Sequence, residues 1–198
     1  MNAFPARRVS GGPVLQDDVT DALTAAFFDE LAAVGYGRLS IEAVAKRAGT
    51  GKAAVYRRWP SKQAMTVALV SRFAVAATGT PGTGSLRGDV TQYLREVMAA
   101  LRHPLVSRIA PDLVAEAARN EELSQALLTA VRDPRRENAE SVIRRAIERG
   151  ELPADTDVEL GLDFLVGPVY WRLAVTRAAT EEDYLERLVT KIVSALGA

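Results

Sequence analysis

The 198-residue chain has no cysteine and a single histidine, His103. Without cysteine there is no disulfide, no thiolate zinc site and no thiol nucleophile. With one imidazole there is no His-pair metal motif and no second ring for an acid–base relay. No nucleophile–base set or paired-carboxylate motif takes their place, so the chain reads as a non-enzyme without a cofactor. Long apolar runs are also missing. The most apolar segment, 158–176, carries Glu159, Asp163, Pro168 and Arg172 and reads as a buried helix rather than a membrane span. The N-terminal MNAFPARRVSGGPV has arginines but no apolar h-region, which excludes a secretory signal. A cytoplasmic protein with no membrane partner is expected.

What is present suffices for a folded core, since apolar residues make up 48% of the chain. The net charge is zero, but its distribution is uneven. Between Tyr36 and Lys62 lie Arg38, Lys46, Arg47, Lys52, Arg57, Arg58 and Lys62, against one acid, Glu42. That segment carries +6, which the remainder must balance. Such asymmetry indicates a module facing a polyanion, attached to an acidic body.

The periodicity is helical nearly everywhere and predicts an all-α fold of about nine helices. From Val19, Leu23, Ala26, Phe27, Leu31 and Val34 share one face, preceded by Asp17 and Asp18 and closed by Gly35 and Gly37. A short helix follows, capped by Ser40, with Ile41, Val44, Ala45 and Ala48 inward. A second short helix covers about 52–58 and stops before Pro60. The next opens at Pro60-Ser61-Lys62 and runs to about Ala77. After a loop at 78–88, helices are expected at about 87–102, 105–118, 121–149 (with a break at Pro134), 157–177 and 181–196.

The stretch GTGKAAVYRRWPSK, residues 49–62, opens like a phosphate-cradling loop. A Walker-type loop needs a glycine five residues before Gly51 and Ser or Thr after Lys52. Lys46 and Ala53 stand there instead, and no strand precedes them. A helix–turn–helix fits: two short helices and a Gly-containing turn place the second helix in the major groove. Val55 and Trp59 share an inward row against Val44. Lys52, Ala53, Tyr56 and Arg57 occupy the other face, where arginine reads guanine, lysine and tyrosine hold phosphates, and alanine admits a thymine methyl. Lys62, opening the next helix, is the expected phosphate anchor.

From Val19 to Phe73, with AKRAG, then Val-Tyr, then an aromatic followed by Pro-Ser-Lys, the chain resembles the DNA-binding domain of TetR/AcrR-type transcriptional regulators. EAARN, RGELPAD and FLVGPVYWRL in the remainder are similar in layout to that family's ligand-binding and dimerising domain. The resemblance implies a disordered arm at 1–16 (with Arg7 and Arg8), a helix–turn–helix domain at 17–62 and a ligand-binding and dimerisation domain at 63–198. It implies a repressor bound as a homodimer to double-stranded palindromic operator DNA and released by a small organic effector. The DNA-binding set is then Ser40, Thr50, Gly51, Lys52, Ala53, Ala54, Tyr56, Arg57 and Lys62. Thr50-Gly51 stands where the family usually has Val-Ser, which removes a capping hydroxyl. Tyr93, Met98, His103, Phe164 and Trp171 are candidates for an effector pocket. Phe164, Val169, Leu173, Leu185, Leu188 and Ile192 are candidates for the dimer seam, where Asp163 and Arg172 are expected to pair. The alternative is a helical small-molecule-binding dimer without sequence-specific DNA binding.

Overall fold

The computed structural model describes residues 13–76, 79 and 81–197, with the side chains of 13–16, 75 and 76 outside the description. Ten α-helices follow one another: α1 (Pro13–Arg38), α2 (Ile41–Arg47), α3 (Lys52–Tyr56), α4 (Lys62–Ala76), α5 (Leu86–Arg102), α6 (Pro104–Ala117), α7 (Glu121–Leu127), α8 (Asp133–Glu148), α9 (Val158–Tyr170) and α10 (Tyr184–Ala195). A π-helical turn, Leu128–Arg132, joins α7 to α8, and another, Trp171–Val175, prolongs α9. As continuous runs these make nine helices among the described residues, with no strand. The expected break at Pro134 takes the form of the wider π turn just before it, which leaves the proline in the first turn of α8.

The expected arm lies outside the described residues up to residue 12. Residues 13–16 are not arm but helix, because α1 starts at Pro13, whose fixed φ suits a first helical turn. The chain divides into two compact units, Met1–Met65 and Thr66–Ala198.

In the first unit, Leu23, Phe27 and Leu31 of α1 pack in one core with Val44 of α2 and Val55 of α3, all essentially without exposure. Ser40 caps α2, its Oγ accepting the Ala43 amide at 3.1 Å. The far end of α2 closes in a Schellman turn. The Gly49 amide donates to the Lys46 carbonyl at 3.1 Å and the Thr50 amide to the Ala45 carbonyl at 2.9 Å. That closure needs a left-handed residue, and Gly49 supplies it at φ 67°.

In the second unit, a core of Val90, Leu94 and Val97 from α5, Val142, Ile143 and Ala146 from α8, Leu165 and Val169 from α9, and Val189 and Ile192 from α10 holds four helices together. Gly161 permits the closest approach: a Cβ there would sit 2.7 Å from Ile143 Cδ1 and 2.9 Å from Leu196 Cδ2. Asp89, fully buried, ties the 81–86 loop to the end of α8. It accepts from the Thr83 amide at 2.7 Å and the Thr83 hydroxyl at 2.8 Å, and faces Arg149 Nη2 at 3.3 Å and Arg145 Nε at 3.9 Å. Arg145 also donates to the Pro81 carbonyl. A second Schellman turn at Gly150 delivers Glu151, whose carboxylate accepts the Leu86 amide at 2.7 Å and so caps α5.

Burial acts most strongly on Asp89 and opposes its ionisation, but the two Thr83 hydrogen bonds and the two guanidiniums together outweigh it. Its carboxyl therefore lies below the ordinary aspartate value. A depressed folded-state pKa contributes stability that is present above the unfolded pKa of about 3.9 and is lost as pH falls through the folded value. Asp89→Asn should destabilise the protein by about 3 kcal/mol at pH 7, measured by denaturant unfolding. The gap from the parent should narrow below about pH 4.

Candidate nucleic-acid interface

The helix–turn–helix is α2, the Gly49 turn and α3. Val55 and Trp59 are buried beneath α3, which fixes its roll and leaves Lys52, Ala53, Tyr56 and Arg57 exposed on the opposite side, with Ala54 half-buried. Tyr56 is 52% exposed, although a phenol of that size usually packs.

The structure divides the seven basic residues of this segment into fixed and free. Arg38 Nε bonds the Val34 carbonyl of its own helix at 3.1 Å. Arg47 pairs with Glu30 at 2.7 Å. Arg58 donates from Nε to Thr20 Oγ1 at 2.8 Å and from Nη1 to the Ala54 carbonyl at 2.9 Å, binding the end of α3 to α1. Lys62 donates to the Tyr36 carbonyl at 3.0 Å, with its ammonium 4.4 Å from the centre of the Tyr36 ring. Lys52 pairs with Glu42 at 2.6 Å. Lys46 and Arg57 alone have no side-chain hydrogen bond or ion pair among the described residues.

Lys62, expected at a phosphate, thus has its ammonium seated on the end of α1, where carbonyls left open by the break at Gly35 attract a cation. Thr50, the proposed substitute for a capping serine, turns its hydroxyl inward, buried and without a hydrogen-bond partner among the described residues. Gly51 occupies the cap position of α3 in extended geometry, φ −92° and ψ 155°, with no side-chain cap. The Glu42–Lys52 hydrogen bond first, and their opposite charges second, draw the Glu42 carboxyl below its ordinary value and lift the Lys52 ammonium above its own. Sequence reasoning missed the structural work of Arg58, for which distant Thr20 gave no signal. It also missed Glu42, which was legible as the lone acid of a basic run.

In the second unit the pocket candidates do not gather at one cavity. Tyr93 and Met98 belong to the core, where burial pushes the Tyr93 phenol up. His103 is exposed; its Nδ1 accepts the Leu105 amide at 3.3 Å to cap α6, and its ring meets Phe73 edge-on at 5.3 Å. Trp171 is 63% exposed. A half-open cavity of about 390 Å³ between α5 and the segment before α10 takes only Met98 from the candidate set, with Arg95, Arg102, Thr180, Glu181 and Leu185 around it.

The dimer candidates need correction too. Val169 and Ile192 are spent in the protomer's own core, and Leu173, Leu185 and Leu188 pack against that core partly buried. Phe164 is half-buried. The outward apolar residues are Leu160, Val166, Tyr170, Trp171 and Val175 instead. A helix that is apolar all round does not reveal which side is inward. Arg172 does not pair with Asp163. It donates to the Ala179 carbonyl at 2.6 Å and lies over the Tyr184 ring, closing the loop before α10. Among the described residues no helix is long and apolar enough to cross a membrane, and no cluster of three or more acidic or histidine side chains is placed to hold a metal.

Residues 23–69 match the family model described as bacterial regulatory proteins, tetR family, and residues 80–192 match the tetracyclin repressor-like C-terminal domain. The chain belongs to the TetR family. It is a DNA-binding helix–turn–helix transcriptional regulator, a class without enzymatic activity. The chain is 28% identical over 171 residues to YdeS of Bacillus subtilis (strain 168), an uncharacterized HTH-type transcriptional regulator, covering 85% of this chain and 84% of that one. It is 30% identical over 179 residues to the DNA-binding transcriptional repressor TetR of Mycobacteroides abscessus, covering 88% and 92%. The crystal structure of the TetR family transcription regulator SCO0332 superposes with a TM-score of 0.70 at 28% identity, covering 89% of this chain and 97% of that one.

In this TetR-family chain a Cβ on Gly51 meets nothing within 4 Å, and its φ is ordinary for any residue. Gly51→Ser should therefore supply the missing cap and stabilise the protein by a few tenths of a kcal/mol, roughly 0.3. Chemical denaturation of the two proteins side by side measures it.

Proposed function

We propose that this regulator represses transcription as a homodimer on a palindromic operator, with α3 as the recognition helix, and that a small organic effector releases it. The observation that carries the DNA assignment is the exposed pair Tyr56–Arg57, held outward by buried Val55 and Trp59 and not engaged elsewhere in the described residues. Arg57 supplies a guanidinium for a guanine edge, Tyr56 and Lys46 contact phosphate, and Ala53 lets the helix approach. A repressor named among the relatives supports repression over activation. Two copies place their recognition helices about 34 Å apart, one turn of B-DNA. An effector acts by binding the low-affinity arrangement better than the DNA-bound one. The site of action is then the cytoplasm, where the operator is.

The stripe of Leu160, Val166, Tyr170, Trp171 and Val175 on α9 is an apolar surface that a monomer would leave in water, and a second copy of α9 and α10 is its cover. The phosphate and base assignments have one test. On the protein's own upstream DNA, affinity should fall steeply with salt, and Arg57→Ala should cost about 1–3 kcal/mol on the preferred site while relaxing base preference at one position. An unchanged sequence preference would move the base contact elsewhere. Trp171→Glu should yield monomers by analytical ultracentrifugation; a persistent dimer would place the seam on another face.

A ligand-binding dimer without sequence-specific DNA binding is the second reading, favoured by the uncapped start of α3 and the buried Thr50 hydroxyl. Absence of any salt-sensitive specific complex would select it.

A further inference from the structure

Glu42 is the lone acid between Tyr36 and Lys62, and its carboxylate is not spent on the core. It reaches across the turn from the first turn of α2 to the first residue of α3, with Oε2 2.6 Å from Lys52 Nζ. Both side chains are open to solvent, at 72% and 53%. An incoming DNA phosphate therefore has direct access to the pair. The fold gains little from so exposed a contact, yet it neutralises a cation at the head of the recognition helix.

We propose that Glu42 is an affinity-setting residue: its carboxylate competes with DNA phosphate for the Lys52 ammonium and holds the regulator's affinity for DNA below what its cations alone would give. The inference rests on the DNA-binding reading above. Binding DNA releases about 0.9 counterion for each phosphate neutralised. A lysine already neutralised by a carboxylate contributes less than its full share. A phosphate arriving at Lys52 must displace Glu42 or bear its repulsion, and Lys46, the other cation acting on Glu42, is too exposed to screen it fully. Glu42→Gln keeps the shape and an acceptor oxygen while removing the charge, so Lys52 then meets phosphate as a full cation.

The test is a double-mutant cycle of Glu42→Gln and Lys52→Ala, titrated on the upstream DNA and on a scrambled duplex between 50 and 200 mM salt. Glu42→Gln should tighten binding to both duplexes by about 3- to 10-fold and steepen the salt slope by about one. In the parent, Lys52→Ala should change affinity by less than about 3-fold, whereas in the Glu42→Gln background it should cancel the gain. Glu42→Asp, too short to hold Nζ at the same distance but still charged, should give a smaller gain, and thermal unfolding should place all variants near the parent. A gain that survives Lys52→Ala overturns the proposal, since it would report general field and not competition. So does weaker binding by Glu42→Gln, which would make the carboxylate itself a DNA contact. If the parent binds DNA and Glu42→Gln binds identically, this proposal alone falls. If neither binds either duplex at 50 mM salt, the DNA-binding reading falls with it.

Discussion

The seat of Lys62 on the end of α1 is the contact on which the N-terminal unit turns. The break at Gly35 leaves the Tyr36 and Gly37 carbonyls without helical partners, and the ammonium accepts that role while resting on the Tyr36 ring. A charge-assisted bond of this kind is among the stronger single contacts available to a small helical unit. Lys62 is also the first residue of α4, so the same contact fixes where the chain after α3 must go. Arg58 does the complementary work at the end of α3, holding it to Thr20 of α1. Between these two cationic ties the short recognition helix, five residues long and far too short to be stable alone, has a defined position.

Positive charge in this segment therefore has two uses, and the sequence does not distinguish them. A count of seven cations suggests a broad phosphate-binding surface. In the folded unit Arg38, Arg47, Arg58 and Lys62 are committed to carbonyls, a hydroxyl and a carboxylate, and Lys52 has its own counter-ion. Arg57 and Lys46 remain, with the Tyr56 hydroxyl beside them. The recognition face is thus narrower than the charge map, which places sequence discrimination ahead of general attraction to DNA.

Much of the architecture was readable from residues alone. Ser40 announced α2, Gly49 its end, and the row of Val44, Val55 and Trp59 the inner side of the helix–turn–helix, because caps, left-handed turns and helical periodicity are local rules. Exposure in the second unit was not readable. On α9, Val166 and Val169 are the same residue type three positions apart, yet one is outward and the other is core. Only the packing of α5, α8 and α10 decides between them. His103 looked like a pocket residue because it is the one imidazole in the chain; its role as a helix cap depends on a Pro104 neighbour that starts α6 at once. The pairing of Asp89 with Thr83, Arg145 and Arg149 is likewise a product of tertiary structure, since only its own residue number placed it on α5.

The π turn at Trp171–Val175 has a consequence for how this helix is read in register. A π turn holds one residue more than the α-helical turn it replaces, and each residue of an α-helix advances the azimuth by about 100°. Removing any one residue from that turn would let α9 run on as an ordinary helix. Everything beyond it would then be rotated by that angle, with no loss of helix content. Trp171 would keep its outlook while Val175 and the hook that Arg172 makes to Ala179 would swing to another side. The five-residue turn is in effect a phase marker, and the surface of α9 tolerates substitution far more readily than a change in length.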